Sequence, residues 1–436
     1  MKASHREIFA IAGPAIVSNI TVPVLGLVDT AIAGHLGTAA FIGAIAVGSI
    51  VFSMMYWLFG FLRMSTAGLT AQCFGASDRG GADCVLARSM VLSLGFGLLI
   101  IALSPWAGSG AIAFMDAGDD VTPFALRYFG IVVWGAPAVL GMYSATGWLI
   151  GMQDTRLPMM FSVLTNVVNI ALSATFVFGF GMKIEGIALG TVLSQWTGYA
   201  VCMIAMRRRY RPSLPSLSVI MDRHAFAGLF SINFFLFLRT LLLVAVTVWF
   251  TRAGAGQGVV VLSANSLLMQ LFLFFSYFSD GFAYAGEALA GKAHGAGDRA
   301  SLCAVAESLT RIGFAVALVF SVIYFVAGDL ILQQLTDRGD VLDAASEYLP
   351  WAVAVPLCGV SGFVYDGIFV GLTRPVAMLL SIGAGAAVFF AIYFLAFPAL
   401  GNDGLWLAFV AYLAVRGLIL HFVFRSKFSG GGGIRC

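Results

Sequence analysis

Charged residues are scarce in this sequence. Only 10% of the 436 residues are Asp, Glu, Lys or Arg, whereas 60% are hydrophobic. A globular domain usually has about 25% charged residues. No soluble fold could bury this much apolar surface, so the composition indicates an integral membrane protein. The formal net charge of +3 is too small to indicate a nucleic-acid partner.

The sequence also lacks the motifs of catalysis. It contains no P-loop, no GxSxG elbow and no HExxH pair, each of which would mark a known chemistry. The cysteines include no CxxC pair and predict no metal site. These absences argue against an enzyme and against an ATP-driven pump. They favour transport driven by an ion gradient, with H⁺ as the expected coupling ion, Na⁺ as the alternative, and no cofactor.

Long apolar segments dominate what is present. Twelve of them follow one another, the first near residues 7–33 and the last near 403–425, and each is long enough to cross about 30 Å of hydrocarbon. Lys and Arg concentrate in alternate loops, which places both termini in the cytoplasm and requires an even number of spans. We therefore predict an all-α protein of twelve transmembrane helices in the inner (cytoplasmic) cell membrane.

The two halves of the sequence resemble each other. The stretch 75–79, GASDR, recurs 220 positions later as GAGDR at 295–299, and two further glycine-containing anchors repeat at nearly the same separation. Six spans per half is an even number, so the two bundles should be related by a pseudo-two-fold axis along the membrane normal. The predicted divisions are an amino-terminal six-helix lobe (1–206), a cytoplasmic linker (207–223), a carboxy-terminal six-helix lobe (224–428) and a disordered tail (429–436).

The first apolar segment contains one carboxylate, Asp29. An acid inside hydrocarbon is costly, so such residues are functional hypotheses by default. Burial favours the neutral form of a carboxyl group, and Asp29 could therefore take up and release a proton. Pro14 in the same segment removes a backbone hydrogen bond and allows a bend. The alternative is that Asp29 lies near a helix end in interfacial water.

Other polar residues share helical faces with regular spacing. They are Asn166, Asn169 and Ser173 in the fifth segment, and Thr191 and Gln195 in the sixth. Together with Asp29 they could form a hydrated site, or they could simply hold neighbouring helices together. Tyr143 in the fourth segment is predicted to line a cavity for organic cations, because aromatic faces attract cations.

The second half contains a separate group of acids, Asp280, Glu287 and Asp366. Arg239 and Arg416 are candidate partners, because counting helical rises places them at a depth similar to that of Asp280. Two interpretations stay open. One is a buried ion-pair network, and the other is a second relay for protons or cations.

Three stretches resemble a known family. VDTAIAGHLG (28–37), SDGFAYAGEALAGKAHGAGDR (279–299) and YDGIFVGLTRP (365–375) are similar to segments of the multidrug and toxic compound extrusion (MATE) transporters of the DNA-damage-inducible F (DinF) type. The resemblance implies two six-helix lobes around a central cleft, and export of organic cations or amphiphiles in exchange for protons or sodium ions. It also places Asp280 and Asp366 in two DG motifs typical of DinF-type members.

The resemblance further implies roles in the amino-terminal half. Asp29 matches the first-helix carboxylate, Asn169 and Thr191 match polar positions that accompany it, and Pro14 matches the first-helix bend. Ser173 departs from the pattern, because this position is often Asp in the family. A sodium site built on two carboxylates is therefore less favoured, although a hydroxyl can still bind a hard cation.

The expected function is a proton-coupled multidrug efflux antiporter that works by alternating access. Protonation of Asp29 and bending of the first helix would drive release of the substrate. The alternatives are a sodium-coupled drug antiporter and a flippase for lipid-linked precursors. The expected partners are small-molecule drugs or amphiphiles and the lipid bilayer, with no nucleic acid. The protein is expected to be a monomer, and its export activity is expected to confer drug resistance.

Overall fold

The protein is described by a computed structural model. It describes residues 5–34, 38–115, 118–213 and 215–428, without the side chains at 22–27, 30, 33 and 39. Within these ranges all regular elements are helical, which confirms the all-α fold. The helices of the first half are α1 (His5–Gly34), α2 (Ala39–Leu58), α3 (Phe61–Gly75), α4 (Arg79–Phe114), α5 (Thr122–Val132), α6 (Ala136–Gly151), α7 (Arg156–Ala174) and α8 (Ile184–Tyr210).

The second half begins with the four-residue helix α9 (Leu217–Ile220). It continues with α10 (Arg223–Ala255), α11 (Val259–Gly295), α12 (Arg299–Leu335), α13 (Gly339–Gly371), α14 (Pro375–Leu400) and α15 (Asn402–Phe428). A 3₁₀ turn at Val133–Gly135 joins α5 to α6, and a π-helical turn at Thr175–Gly179 extends α7.

Most of these helices are suited to a bilayer. In the described part of the chain, eleven helical segments are long and apolar enough to cross a membrane, with α2–α3 and α5–α6 each acting as one segment. Helix α1 has 30 residues, which corresponds to about 45 Å, and it is a further long helix beside these eleven. The structure therefore has the multi-pass architecture that the hydropathy pattern predicts.

Two turns 220 positions apart adopt the same conformation. Asp78 precedes α4 with φ −90° and ψ 86°, and Asp298 precedes α12 with φ −88° and ψ 88°. Each carboxylate accepts a hydrogen bond from the backbone N–H three residues later, at 2.8 and 2.9 Å, as N-cap residues do. The preceding residues, Ser77 and Gly297, both have positive φ, 58° and 69°. The repeated sequence GAxDR thus encodes a repeated helix–turn–helix connection.

The chain forms two compact units. The first unit comprises Val17–Leu229, and the second comprises the chain up to Ile16 together with the chain from Phe230 onward. This division differs from the predicted lobe boundaries in two places. The linker 207–223 is part of the first unit, and the first half of α1 is part of the second.

The beginning of α1 packs against α11 within the second unit. Phe9 contacts Phe282 edge to face, with the ring centroids 5.9 Å apart. Gly281 has no side chain at this crossing, and a Cβ there would lie 3.0 Å from the carbonyl oxygen of Ala12. Close approach at a small residue is typical of helix packing in membranes, and it explains why this part of α1 belongs to the second unit.

Hydrogen bonds attach the linker to α4 in the first unit. The buried carboxylate of Asp83 accepts from the backbone N–H of Ser213 at 2.8 Å and from its hydroxyl at 2.7 Å. Arg88 donates to the carbonyl oxygens of Val219 at 2.7 Å and Ile220 at 3.1 Å. The described residues of the predicted linker 207–223 therefore pack along α4 through these hydrogen bonds.

Removing one of these attachments should loosen the linker. Asp83→Ala deletes an acceptor of two charge-assisted hydrogen bonds, each worth about 1.5–3 kcal/mol. We expect the amide of Ser213 to exchange with deuterium at least about tenfold faster, because exchange follows the population of the locally open state. Asp298→Ala is the control, since it removes an exposed cap in the second unit. An unchanged exchange rate at Ser213 would contradict the assignment.

Helix α13 packs closely on α11 through glycines. A Cβ on Gly367 would overlap the carbonyl oxygen of Ala283 and lie 2.6 Å from its Cα atom, and a Cβ on Gly371 would lie 2.6 Å from the carbonyl oxygen of Glu287. Both neighbours are backbone atoms on a rigid helix. The two helices can therefore approach to this distance only because these positions carry no side chain.

A single methyl group at this crossing should destabilise the second unit. We expect Gly367→Ala to cost about 1–3 kcal/mol, the usual range for overpacking, and to lower the thermal midpoint in detergent. Gly95→Ala in α4 is the matched control, because nothing lies within 4 Å of its added Cβ and Ala favours a helix over Gly by about 0.5–1 kcal/mol. Equal midpoints for the two variants would show that α11 and α13 can move apart without cost.

Candidate functional site

Asp29 is buried in the part of α1 that belongs to the first unit. Its side chain is only 6% exposed, and Oδ1 accepts no hydrogen bond from the described residues. The carboxylate therefore lies within the protein, in contrast to the alternative of interfacial water. A buried polar atom without a partner is costly, and protonation would reduce this cost because the neutral form needs less solvation.

Tyr128 of α5 is a neighbour of Asp29 that the sequence analysis did not identify. Its side chain is 3% exposed, and its hydroxyl is within interaction range of Asp29, of Ser49 on α2 and of Thr191 on α8. Gly48 makes room for its ring, since a Cβ there would lie 2.9 Å from Cε1 of Tyr128. Four helices thus contribute to the surroundings of one carboxylate.

Asn169 extends this group on α7. Its Nδ2 donates to Oγ1 of Thr191 at 3.1 Å, and Thr191 in turn donates to the carbonyl oxygen of Ile187 at 3.0 Å. Asn169 is fully buried, and its Oδ1 has no hydrogen-bond donor among the described residues. The group therefore contains two buried acceptor atoms, one on Asn169 and one on Asp29, that a proton, a water molecule or a small cation could satisfy.

Tyrosines connect this group to Tyr143. Tyr56 of α2 is within electrostatic range of both Tyr143 and Tyr128, so the predicted cavity residue Tyr143 belongs to the same region. Its side chain is half-buried. The residues linked in this way are Asp29, Ser49, Tyr56, Tyr128, Tyr143, Asn169 and Thr191, and they are called the Asp29 cluster below.

The remaining polar residues of the first unit make separate contacts. Asn166 donates to the carbonyl oxygen of Thr21 on α1 at 3.2 Å. Ser173 is fully buried and packs against Gly190 of α8, where a Cβ would lie 2.8 Å from its backbone nitrogen. The polar face of α7 therefore contacts both α1 and α8. Gln195 packs instead against the turn between α5 and α6.

Pro14 lies within a continuous helix. Helix α1 runs without interruption from His5 to Gly34. The second unit includes α1 up to Ile16 and the first unit begins at Val17, so Pro14 lies just before this boundary. The structure thus shows α1 in an unbroken conformation. A proline at this position leaves one carbonyl of the preceding turn without its intrahelical donor, which lowers the cost of bending there.

Two arginines share one carboxylate in the second unit. Oδ2 of Asp366 accepts from Nη2 of Arg239 at 2.6 Å and from Nη2 of Arg416 at 2.8 Å, and all three residues are at most 7% exposed. This Asp366 triad is a buried network of two ion pairs. Asp280 acts on Arg416 electrostatically, and Glu287 is buried further along α11.

The described residues contain no group of three or more His, Cys, Asp or Glu side chains arranged to hold a metal ion. Within these ranges two buried carboxylates have different surroundings. Asp29 forms no ion pair with a described residue, whereas Asp366 accepts hydrogen bonds from two guanidinium groups through Oδ2. Oδ1 of Asp366 has no hydrogen-bond partner among the described residues.

Comparison with known proteins identifies the class. The MatE family model matches residues 14–175 and 232–397, and the chain therefore belongs to the multidrug and toxic compound extrusion family of membrane transporters. Among curated proteins it is similar to DNA damage-inducible protein F of Escherichia coli, with 38% identity over 435 residues, covering 99% of this chain and 94% of that protein.

A shorter match joins the chain to another transporter of the family. The probable multidrug resistance protein NorM of Thermotoga maritima is 27% identical over 209 residues, covering 47% of this chain and 45% of that protein. The match to DNA damage-inducible protein F confirms the DinF-type resemblance seen in the sequence.

Solved structures share the fold. A MATE transporter in a bent conformation has a TM-score of 0.84 at 18% identity, covering 97% of this chain and 95% of that one. An outward-facing MATE family transporter has a TM-score of 0.84 at 19% identity, covering 98% of this chain and 97% of that one. At these identities the likeness establishes the fold alone.

Proposed function

We propose that this transporter is a proton-coupled antiporter that exports organic cations or amphiphilic compounds across the inner membrane. The observation that supports this most is that Asp29 is buried, forms no ion pair with a described residue, and lies within electrostatic range of the buried Tyr128. An acid held in this way is costly when ionised and more stable when it binds a proton or a cation. Proton and substrate then compete for one group, which is the requirement for exchange.

The ionised state of Asp29 would favour the substrate. A carboxylate in a low-dielectric setting attracts an organic cation strongly, and the aromatic rings of Tyr56, Tyr128 and Tyr143 add cation–π attraction. Hydrophobic parts of an amphiphile gain from burial against the apolar helices. The Asp29 cluster thus offers charge and aromatic surface together, which suits bulky cations of varied shape.

The protonated state of Asp29 would favour release. Once neutral, the carboxyl no longer attracts the cation, and it can donate a hydrogen bond that the spare acceptor of Asn169 could receive. A change in the position of Asp29 on α1 would be accommodated by bending near Pro14. Alternating access then returns the proton to the cytoplasm. Each unit charge moved down 100 mV supplies about 2.3 kcal/mol.

Sodium coupling is the second candidate, and the two spare oxygens of Asp29 and Asn169 favour it. Hard cations prefer several oxygen ligands, often with more than one carboxylate. Ser173 supplies a hydroxyl in place of a second acid, and Asp366 is already neutralised by Arg239 and Arg416. In the described part of the Asp29 cluster, Asp29 is therefore the one carboxylate that could bind the coupling ion, and this favours the proton.

The test is transport in proteoliposomes under one gradient at a time. Purified protein is reconstituted, and uptake or efflux of a fluorescent organic cation is followed with a pH gradient at equal sodium, or with a sodium gradient at equal pH. We expect transport with the pH gradient and none above empty vesicles with the sodium gradient. The reverse result would replace the proton by sodium, and conduction without coupling would remove the antiporter assignment. Both termini in the cytoplasm and a monomeric state complete the proposal.

A further inference from the structure

Three arginines at the end of α8 form a basic depression. Arg207, Arg208 and Arg211, together with Pro212, line a depression of about 650 Å³. The fourth arginine of this run, Arg209, is engaged elsewhere, since its Nη2 lies 3.2 Å from Oδ2 of Asp154. No acid lines the depression in the described part of the chain. The three guanidinium groups therefore present an uncompensated positive surface.

The chain beyond this depression descends toward the membrane along α4. Arg79 at the start of α4 donates to the carbonyl oxygen of Tyr210, Asp83 accepts from Ser213, and Arg88 donates to Ile220. The positive-inside rule makes this end of α4 cytoplasmic. Arg79 and Arg88 are nine positions apart, about 13 Å along α4, so the linker runs beside α4 from Tyr210 to Ile220, away from the cytoplasmic start of this helix.

The deep part of the linker exposes apolar side chains. Ile220 faces the protein and is 9% exposed, whereas Leu217 is 79% exposed, Val219 45% and Met221 56%. Exposed apolar groups this close together mark a contact surface. On the cytoplasmic side of a membrane protein, an apolar face beside basic residues is stable at the boundary of lipid headgroups and acyl chains.

We propose that the arginines and the apolar face together bind an anionic phospholipid of the cytoplasmic leaflet. Its phosphate would be held by Arg207, Arg208 and Arg211, because guanidinium groups bind phosphate oxygens in pairs. Its acyl chains would pack along Leu217 and Met221. An inorganic phosphate would also bind the arginines, but it has no acyl chains to pack on Leu217 and Met221. This difference distinguishes a phospholipid from free phosphate.

The site lies entirely within the first unit and uses no residue of the Asp29 cluster. Its arginines surround the point where the linker leaves α8, and its apolar side chains belong to the segment attached to Asp83 and Arg88. A bound lipid would therefore fix both ends of this segment, in addition to its hydrogen bonds to α4. The proposal does not depend on which ion drives transport.

Lipid binding to the purified full-length protein tests this. Native mass spectrometry in detergent would measure the affinity for a phosphatidylglycerol and for a phosphatidylcholine with the same acyl chains. In the triple variant Arg207→Gln, Arg208→Gln, Arg211→Gln we expect phosphatidylglycerol binding to fall at least about tenfold, with phosphatidylcholine binding unchanged. The charge-matched control is Arg299→Gln, Arg425→Gln, Lys427→Gln, which removes three basic groups elsewhere and should leave phosphatidylglycerol binding unchanged.

Two further arms decide the occupant. Leu217→Ser with Met221→Ser should weaken phosphatidylglycerol binding and leave competition by inorganic phosphate unchanged. The single variant Arg208→Gln gives a smaller loss and serves if the triple variant fails to fold. The proposal is overturned if the arginine variants bind phosphatidylglycerol like the unmodified protein, or if the control loses as much. It is also overturned if the variant Leu217→Ser with Met221→Ser binds phosphatidylglycerol normally and inorganic phosphate displaces this lipid. In that case the arginines bind a soluble anion and the apolar face is not used.

Discussion

Replacing Asp29 by Asn should abolish efflux driven by a pH gradient while the protein still folds. The amide has nearly the same volume and removes the group that changes charge, so proton and substrate no longer compete for one site. The helix should be no less stable, because a neutral side chain is easier to bury than a carboxylate. We expect the rate in proteoliposomes to fall to that of empty vesicles, with an unchanged or raised thermal midpoint in detergent.

Two variants make this result specific. Asp119→Asn removes an acid that is exposed in the structure, and it should leave transport unchanged. Asp29→Glu keeps a titratable carboxyl on a longer side chain and should retain part of the rate. Transport by Asp29→Asn at the rate of the unmodified protein would exclude Asp29 from coupling. An acid of the second unit would then be the candidate coupling group.

Removing the shared carboxylate of the Asp366 triad should strongly destabilise the protein. Asp366→Ala removes the carboxylate that the guanidinium groups of Arg239 and Arg416 share, and both arginines are buried, at 7% and 4% exposure. Breaking a buried pair by deleting one partner costs about 3–5 kcal/mol. We expect a loss of this size in unfolding by denaturant, measured in detergent micelles.

The control for the triad is an ion pair at the surface. Glu307 and Arg311 lie 2.5 Å apart, with 58% and 74% of their side chains exposed, and Glu307→Ala should change stability little because exposed pairs contribute little. The combined change Arg239→Met, Asp366→Leu, Arg416→Met should restore much of the stability. If Asp366→Ala folds normally and fails only in transport, the triad is a relay and the structural assignment is wrong.

The helical architecture could be predicted from the sequence because hydropathy is a local property. A run of apolar residues spans a bilayer regardless of its partners, so the spans near 7–33 and 403–425 correspond to α1 and α15. The repeated GAxDR turn was visible for the same reason, since its conformation depends on the capping carboxylate and the residue before it. The burial of Asp29 followed from its place in an apolar segment.

The surroundings of Asp29 could not be predicted in the same way. Ser49, Tyr56 and Tyr128 carry no pattern that distinguishes them from other polar residues in spans. They meet because of how α2 and α5 rotate and cross, which depends on side-chain packing over many residues. Thr191 and Asn169 were identified through their spacing and the family resemblance, since spacing along one helix is visible in a sequence.

The pairing in the second unit shows a similar limit. Counting rises along helices estimates depth and says nothing of rotation about the helix axis. The sequence therefore predicted that Arg239 and Arg416 lie at the level of Asp280. Only the structure showed that both side chains pair with Asp366. The linker is a further case, because its bonds to Asp83 and Arg88 join residues about 130 positions apart.

The contact between the start of α1 and α11 has a consequence for synthesis. Phe282 follows Phe9 by 273 positions, and a ribosome adds about 5–20 residues per second, so roughly 14–55 s pass before the partner of Phe9 exists. During that time the amino-terminal end of α1 lacks the partner that it has in the folded protein. The earliest part of the nascent chain is thus among the last to be packed, and a truncated polypeptide that ends before α11 should expose this helix end to quality-control proteases.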